Sequence, residues 1–291
     1  MTDGFLVVDK APGMTSHDVV AVARKSLGTR KVGHAGTLDP MATGVLVLGF
    51  GNGTRLLQYI TDGDKSYTAT IVLGAATITD DREGEVILEV NASHISDEEI
   101  KSGLAKMLGE IAQRPSSVSA VKVGGERAYD RVRAGEVFEL AARTVTISAL
   151  DVLEIRHLGA RIEVDIEVTC SAGTFIRAIA RDLGSGLGVG GHLSALRRTR
   201  VAGFPISQAI SFEDLKAQAF STLELASVAR ATFSVRELAL DEVQELSFGR
   251  PLISNPSDEI FAALGPDNRL IALLKNETGK AKPIAVFAPA N

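Results

Sequence analysis

One segment, residues 32–50, constrains the fold of this chain more than any other. Three glycines within twelve residues permit tight turns and a close approach of the backbone to a ligand. Asp39 stands directly before Pro40, which biases it toward an extended conformation. After Gly44, the uninterrupted apolar run 45–48 is typical of a strand that is buried on both faces. The segment therefore predicts a stiff loop that holds a carboxylate at the mouth of a buried strand.

The composition predicts a protein of two domains with a sheet-rich core. The chain has 291 residues, of which 45% are hydrophobic, 5% are aromatic and none is Trp, so Val, Ile, Leu and Ala must fill the core. The single cysteine, Cys170, excludes a disulfide within the chain and fits a reducing compartment. The N-terminus has no basic leader, and no apolar run approaches the length of a membrane span. We therefore expect a soluble cytoplasmic protein.

The charge of the whole chain and the charge of one segment point in different directions. The net charge of −5 gives no support for a polyanionic partner, but a local basic face is sufficient for such binding. Within residues 177–200 a single acid, Asp182, stands against five arginines: Arg177, Arg181, Arg197, Arg198 and Arg200. This concentration predicts salt-sensitive contacts with phosphate groups.

The segment around Asp39 decides between two interpretations of that residue. An isolated Asp-Pro pair is more often a turn or a cap than a catalytic group. Here, however, residues 33–46 read GHAGTLDPMATGVL, and this string resembles the active-site motif of the tRNA pseudouridine synthase B (TruB) family in order and spacing. The resemblance implies that Asp39 is the catalytic nucleophile.

Further stretches of the chain resemble motifs of the same family, in order, over about residues 5–205. They are VDKAPGMTSHDVV (8–20), TITDDREG (77–84), RPSSVSAVKVGG (114–125), CSAGTFIRAIARDLG (170–184) and GGHLSALRRTRV (190–201). Three positions depart from the family pattern: Ser116 replaces a Pro, and both Val118 and Phe175 replace a Tyr. Phe175 keeps an aromatic surface and loses the hydroxyl, and any contact made by the other Tyr ring is in doubt.

The resemblance assigns catalytic roles to three residues. Arg177 matches the arginine that pairs with the catalytic carboxylate, and an opposite charge favours the ionised form of Asp39 in a desolvated pocket. Tyr67 opens a predicted half-buried strand, 65–74, and on general grounds would be a core or strand-edge residue. The family places a base-stacking Tyr at this position, after a basic residue and one spacer. Its hydroxyl is then a candidate for proton transfer.

The resemblance also implies a set of substrate-binding residues. His34 would stabilise an extruded nucleotide by stacking or hydrogen bonding, and Phe175 and Leu196 would form apolar walls around the base. Arg197 and Arg198 belong to the basic segment expected to contact phosphate. Two roles stay open from sequence. Lys10 either supports the catalytic loop or is a solvated turn residue, and His192 either caps an element or touches phosphate.

The pattern of the chain predicts an α+β fold. We expect a mixed, mostly antiparallel central sheet flanked by helices in a catalytic domain over residues 1–230. A small, β-rich, PUA-like RNA-binding domain is expected over residues 231–291. Locally, Ser16 is predicted to cap a helix over 17–27. Two alternating strands, 144–150 and 161–169, are expected to enclose a loop with a solvated His157, and Gly28 is expected to end the first helix.

A second helix is predicted from the capping box that Ser96 opens. Its Ile100, Leu104 and Leu108 are spaced to face the core, and Gly109 is predicted to end it.

Taken together, the resemblance implies an isomerase that converts uridine 55 in the T-arm of tRNA to pseudouridine. The reaction is redox-neutral and hydrolysis-free, so neither a cofactor nor a metal is expected, and the target base must be flipped out. Two other classes remain open. One is a non-catalytic RNA-binding or RNA-folding protein in which Asp39 is idle. The other is a nucleotide-cofactor enzyme built on residues 49–53, whose glycine spacing does not match a dinucleotide-binding fingerprint.

Overall fold

The computed structural model of this chain describes residues 3–116, 122–123, 126–127, 141–254 and 259–289, with the backbone alone at 122–123 and 126–127. Val118 and most of the 114–125 motif lie outside the described residues. The strands are β1 (Gly4–Lys10), β2 (Val32–His34), β3 (Thr43–Phe50), β4 (Lys65–Leu73), β5 (Ala75–Thr77), β6 (Val86–Glu89), β7 (Gly109–Gln113), β8 (Lys122–Val123), β9 (Glu126–Arg127), β10 (Arg143–Leu158), β11 (Arg161–Cys170), β12 (Gly191–Val201), β13 (Phe204–Pro205), β14 (Ile210–Ser211), β15 (Ser234–Glu237), β16 (Leu252–Ile253), β17 (Phe261–Leu264), β18 (Leu270–Glu277) and β19 (Lys280–Val286).

The central sheet is mixed and mostly antiparallel, as predicted. Its strand order is β14-β1-β3-β12-β4-β11-β10-β7, with β2 paired to β3 and β13 to β12. Only the β1–β14 and β3–β12 pairings are parallel among the strands that the structure places in this sheet. All of β3 after Thr43 is buried, which confirms the strand expected from the uninterrupted apolar run. The strand β3 follows the loop that carries Asp39, so the chain enters the middle of the molecule directly after this loop.

Helices cover the sheet on both faces. They are α1 (Ser16–Leu27), α2 (Leu57–Thr61), α3 (Asp97–Ala105), α4 (Ile176–Gly186), α5 (Phe212–Ala217), α6 (Leu225–Thr232) and α7 (Leu240–Ser247), with 3₁₀ turns at Gly51–Arg55 and Ile206–Gln208. One apolar cluster joins α1 to β1 and β3, and another joins α3 and α4 to β4 and β11. No helix within the described ranges is long and apolar enough to cross a bilayer.

The cap of α1 differs from the sequence prediction. Thr15 is the N-cap and forms a capping box with Asp18, while the left-handed Gly28 ends the helix as expected. Ser16 is buried, and its hydroxyl accepts a hydrogen bond from the Leu38 amide at 2.9 Å. The prediction of Ser16 as the cap is wrong by one residue, because the Ser16 hydroxyl instead bonds to the loop that carries Asp39.

Two other local predictions are corrected. The capping box of Ser96 is present, but α3 ends at Ala105, before the predicted Gly109. Leu108 therefore lies beyond the helix and is exposed, whereas Ile100 and Leu104 are buried.

His157 lies within the long strand β10 rather than in a loop. Its Nε2 atom is 2.9 Å from an Asp97 carboxylate oxygen. The alternating segment recognised in the sequence was only the first half of a 16-residue strand, whose second half is largely exposed.

A second sheet, in the order β15-β17-β18-β19-β16, spans Ser234 to Val286. It packs on the central sheet through a shared apolar cluster, in which Phe5 and Val45 meet Ala262 and Leu273. The predicted β-rich C-terminal unit is confirmed as a separate sheet. The boundary between residues 230 and 231 stays a prediction.

Candidate active site

The loop that carries Asp39 is held by the N-terminal segment of the chain. The Gly13 amide donates to the Pro40 carbonyl at 2.9 Å. The Lys10 ammonium, fully buried, donates to the same carbonyl at 3.2 Å and to the Met14 carbonyl at 2.7 Å. Burial lowers the pKa of Lys10 to about 8. Lys10 therefore supports the loop that carries Asp39, and its alternative interpretation as a solvated turn residue is excluded.

Arg177 joins two carboxylates at the base of the pocket. Its Nε atom lies 3.1 Å from Asp39 Oδ2, and its Nη1 atom lies 3.3 Å from Asp81 Oδ2. Nη1 also donates to the Thr79 carbonyl at 2.7 Å. The side chains of Arg177 and Asp81 are only 7% and 4% exposed, whereas that of Asp39 is 39% exposed. The pair predicted from the motifs is present, and its solvent-facing member is Asp39.

Asp81 is a site residue that sequence reasoning missed. The TITDDREG segment resembles a family motif, but the resemblance assigns no role to either Asp80 or Asp81. The Asp81 carboxylate accepts hydrogen bonds from the Thr79 hydroxyl at 2.6 Å and the Glu83 amide at 3.0 Å. These bonds fix the buried carboxylate and aim it at the guanidinium of Arg177.

A pocket of about 780 Å³ opens beside Asp39 and Arg177. Tyr67, Leu196 and Phe175 line it with apolar surface. Tyr67 is buried on β4, and burial raises the pKa of its hydroxyl, while the charge of Arg198 opposes that rise. The hydroxyl is therefore protonated at neutral pH. All three residues predicted to surround the base line the same cavity.

Gln113 is a second site residue without a sequence signal. It is buried, and its amide accepts from the Phe175 amide at 2.7 Å and donates to the Phe175 carbonyl at 3.0 Å. Phe175 is the N-cap of α4, whose second residue is Arg177. The Gln113 side chain thus fixes the turn that delivers both the aromatic wall and the guanidinium.

His34 lines the pocket at the end of β2. Its ring meets that of His17 edge to face, with centroids 5.6 Å apart and planes inclined by 82°. Burial, followed by the neighbouring His17, lowers the pKa of His34. His34 is therefore neutral at pH 7, which suits stacking against a base better than a charged ring would.

The predicted basic face is largely neutralised by acids from other segments. Arg197 pairs with Asp9 at 2.6 Å, while Arg181 pairs with Asp182 at 2.8 Å and with Asp80 at 3.3 Å. Arg177 is already engaged by two carboxylates. The count of five arginines against one acid overstates the local charge, because the sheet brings in carboxylates from β1 and from the turn after β5.

Two members of the basic segment have unexpected positions. Arg198 is 1% exposed and lines the pocket, so it does not lie on an open basic face, and its contact with phosphate stays a prediction. His192 is also buried, with Nδ1 3.0 Å from the Ala75 carbonyl, which settles its open role in favour of a structural one.

Arg143 lies at the mouth of the pocket and was not suggested by any motif. It is the first residue of β10, opposite Gln113 of β7, and its side chain is exposed. In the part of the chain that the structure describes, Arg143 forms no ion pair. It is therefore a cation available to a ligand.

Cys170 lies behind the pocket and is expected to be unreactive in the native protein. It is buried, and burial raises the pKa of its thiol to about 11, so the nucleophilic thiolate is scarce at pH 8. An aromatic disulfide reagent should titrate close to zero thiols per chain at pH 8 and one thiol after unfolding in urea. A full equivalent from the native protein would contradict the burial of this residue.

The comparisons with known proteins agree with this geometry. The family model described as TruB family pseudouridylate synthase (N terminal domain) matches residues 24–176. The models described as tRNA pseudouridylate synthase B C-terminal domain and tRNA Pseudouridine synthase II, C terminal, match residues 177–241 and 233–288. The residues that line the pocket, His34 to Arg198, fall within the first two matches.

Relatives and solved structures match over nearly the whole chain. The protein named tRNA pseudouridine synthase B from Arthrobacter sp. (strain FB24) is 53% identical over 302 residues, covering 100% of this chain and 98% of that protein. The protein of the same name from Thermobifida fusca (strain YX) is 49% identical, covering 99% of each.

Among solved structures, one described as a Cbf5-Nop10-Gar1 complex matches with a TM-score of 0.73 and 26% identity, over 98% of this chain and 85% of that chain. An H/ACA RNP bound to a substrate RNA containing 2'-deoxyuridine has the same TM-score at 24% identity, which shows a shared fold. From the family-model matches and the identity over the full length, the chain belongs to the TruB family of pseudouridylate synthases.

Proposed function

We propose that this protein is a tRNA pseudouridine synthase that isomerises uridine 55 in the T-arm of tRNA, in the cytoplasm. The observation that carries the proposal is the half-exposed Asp39 carboxylate, paired with a buried guanidinium at the floor of a pocket large enough for a nucleotide. The relatives at about 50% identity that bear the name tRNA pseudouridine synthase B support the substrate class.

The reaction fits the groups that line the pocket. The N1–C1′ bond of uridine breaks, a C5–C1′ bond forms, the C5 hydrogen leaves as a proton and N1 gains a proton. Asp39 acts at the sugar as the nucleophile, and Arg177 stabilises its carboxylate. The detached base must be retained while it turns, and Leu196 and Phe175 supply apolar walls that exclude water.

Tyr67 has two roles in this proposal. Its ring offers a buried surface on which the base stacks, and its hydroxyl is a neutral group in the pocket that can donate or accept a proton. A base can reach the ring only when it is flipped out of the RNA, at a cost of a few kcal/mol. His34, at the start of the catalytic loop, stabilises the extruded state.

The phosphate that accompanies the flipped nucleotide is bound by Arg143. Four cationic side chains line the pocket, and three of them are occupied. Lys65 donates to the carbonyls of residues 61 and 63 at 2.5 Å, Arg177 holds two carboxylates, and Arg198 is buried. Arg143 is exposed at the rim, where the backbone of a nucleotide must remain when its base points inward.

Arg143→Gln is therefore expected to weaken RNA binding more than it slows the chemical step. Loss of one partly exposed ionic contact, roughly 1 kcal/mol, corresponds to about a fivefold higher Kd for a T-arm stem-loop. The slope of log K against log salt should fall by about 1. Fluorescence anisotropy over a range of salt concentrations measures both quantities.

Arg161→Gln is the matched control for this variant. It removes the same charge from an exposed arginine at the far end of the β10–β11 hairpin, about 50 Å along the strand from Arg143. Equal Kd values and salt slopes for the two variants would show that Arg143 has no specific contact with RNA.

The C-terminal sheet, residues 234–286, is proposed to extend the RNA-contacting surface beyond the catalytic pocket, with a domain boundary close to residue 230. Its arginines include Arg236, which is tied to Glu242 and to the Ile253 carbonyl. Arg250 is 61% exposed, pairs with Glu245 at 2.9 Å and lies over the ring of Phe248. An exposed guanidinium beside an exposed aromatic ring is a surface suited to nucleic acid.

The proposed substrate is tested by mapping the modified position in a full tRNA transcript. Incubation with the wild-type protein, followed by carbodiimide treatment and reverse transcription, should give one new stop, at uridine 55. Replacing that uridine with cytidine should remove the stop without creating another. Modification at a different uridine would leave a pseudouridine synthase of another specificity, and no modification of any RNA would refute the proposed activity.

A further inference from the structure

Arg198 is a buried cation with an unusual set of partners. Its Nε atom donates to the Val45 carbonyl at 2.8 Å, Nη2 to the Gly36 carbonyl at 3.0 Å, and Nη1 to the Thr37 carbonyl at 3.4 Å. It forms no ion pair within the described ranges, although burying an unpaired charge is unfavourable. Such an arrangement persists only when the carbonyls that replace water are themselves held in place.

The three carbonyls lie at the two ends of the loop that carries Asp39. Residues 36 and 37 precede the carboxylate, and Val45 follows it at the start of the buried part of β3. One planar guanidinium with several fixed donors therefore bridges the entry and the exit of the loop. The position of Asp39 depends on this bridge as well as on Lys10 and Ser16.

Two glycines of the loop motif lie against Arg198, one against its backbone and one against its guanidinium. Gly44 faces Arg198 across the parallel β3–β12 pairing and has a φ of +100°. A Cβ atom on Gly44 would lie 2.1 Å from the Arg198 carbonyl oxygen, which no rearrangement of side chains could relieve. Gly36, with a φ of +87°, passes over the guanidinium, and its Cβ would lie 3.4 Å from Nη1. Arg198 and the loop that carries Asp39 therefore pack closely against each other.

The same guanidinium acts on Tyr67. Arg198 is the residue opposite Tyr67 in the antiparallel β4–β12 pairing, and its charge opposes the rise that burial causes in the pKa of the Tyr67 hydroxyl. Residues that are opposite each other in a sheet project from the same face, so the guanidinium and the phenol ring lie side by side. One buried cation therefore lies next to both the loop carbonyls and Tyr67.

We propose that Arg198 is a positioning residue of the reaction, which holds the Asp39 loop and the Tyr67 hydroxyl in register through one buried cation and does not bind RNA. The proposal rests on the proposed function for its kinetic test. Its structural basis, a cation shared by the loop carbonyls and the tyrosine, is independent of which uridine is modified.

The kinetic test compares Arg198→Lys with Arg143→Gln on a T-arm stem-loop. Lysine keeps the charge but cannot span three carbonyls, so Asp39 is displaced and the single-turnover rate at saturating RNA should fall about 10²-fold. The Kd and its salt slope should stay within about twofold of the wild type. Arg143→Gln should instead raise the Kd and lower the salt slope, with a smaller effect on the single-turnover rate. A reduced salt slope for Arg198→Lys, or an unchanged rate, would overturn the proposal.

A spectroscopic test follows Tyr67 directly and needs no activity. The chain has three tyrosines and no Trp, so tyrosinate absorbance near 295 nm is uncrowded, and the difference between wild type and Tyr67→Phe isolates one residue. The charged or titratable groups that act on Tyr67 are Arg198, Cys170 and Asp39. In Arg198→Met the Tyr67 titration should move to higher pH, since the favourable cation is gone. An unmoved titration in a folded Arg198→Met variant would contradict the link to Tyr67.

The two tests separate this proposal from the proposed function. If the wild type modifies no RNA while Tyr67 still titrates higher in Arg198→Met, the activity assignment fails and the link between Arg198 and Tyr67 stands. If Arg198→Met does not fold, the same titration is made with Arg198→Lys. This variant keeps the charge but moves it, and a curve identical to that of the wild type would count against positioning.

Discussion

Asp39→Asn is expected to abolish pseudouridine formation, with a rate at least about 10⁴-fold below that of the wild type. The amide has nearly the shape of the carboxylate but cannot act as the nucleophile at the sugar. RNA affinity should stay within about twofold, because the loop is held through its own backbone groups. These groups contact Gly13, Lys10 and Ser16, and the Asp39 side chain takes no part in the contacts. Single-turnover assays on a T-arm stem-loop, with Kd measured in parallel, give both values.

Asp62→Asn is the matched control. Asp62 lines the same pocket and is exposed, but it has no contact with Arg177. This variant should keep a rate within about threefold of the wild type, as is usual for a surface substitution. If Asp39→Asn retained the wild-type rate, Asp39 would have no place in the mechanism. If both variants lost activity equally, the loss would reflect the charge of the pocket rather than one nucleophile.

Arg177→Met is expected to have the second largest effect, on rate and on stability together. Removing the guanidinium leaves Asp39 without its cation, which should lower the rate by about 10²–10³-fold. It also leaves Asp81 buried and unpaired, at a cost of about 3–5 kcal/mol in the free energy of unfolding. Urea denaturation and single-turnover kinetics measure the two effects separately.

The double variant Arg177→Met with Asp81→Asn distinguishes the two consequences. Neutralising the buried carboxylate should recover much of the lost stability, since no unpaired charge remains in the interior. Activity should not recover, because Asp39 still lacks its partner. Recovery of activity together with stability would show that Arg177 serves folding alone.

The residues that could be identified from the sequence are those that belong to a contiguous motif. Asp39 lies between two glycine turns and before a buried strand, and Arg177 follows a Gly-Thr turn at the start of a helix. The structure brings both to one point, 3.1 Å apart. Tyr67 and Leu196 line the same pocket, since they lie on the adjacent strands β4 and β12.

The features that the sequence did not predict depend on contacts between distant segments. Arg197 is neutralised by Asp9, which precedes it by 188 positions, so counting charges within one segment could not show the pairing. Arg143 lines the pocket and Gln113 holds the backbone of Phe175 beside it, and these two residues lie opposite each other because β7 and β10 are neighbours. An arginine is expected at the protein surface, so the sequence does not indicate that Arg198 is buried. Only the pairing of strands in the sheet places it under the loop that carries Asp39.

The errors in secondary structure have a related cause. The buried strand β3 was predicted correctly because its burial is uniform and leaves an unbroken apolar run. The strand β10 is mostly exposed and has irregular register near Ile147 and Val152, which weakens the alternation that marks a strand. The sequence therefore predicts a loop where the second half of β10 lies.

The most direct test of the central claim is release of tritium from a T-arm stem-loop that contains [5-³H]uridine. Forming the C5–C1′ bond expels the C5 hydrogen, so an isomerase must release it to water, whereas a binding protein cannot. We expect release of one equivalent for each target uridine with catalytic amounts of the wild-type protein, and none with Asp39→Asn. Tight binding of the RNA by the wild type without any release of tritium would contradict the account and leave a non-catalytic RNA-binding protein.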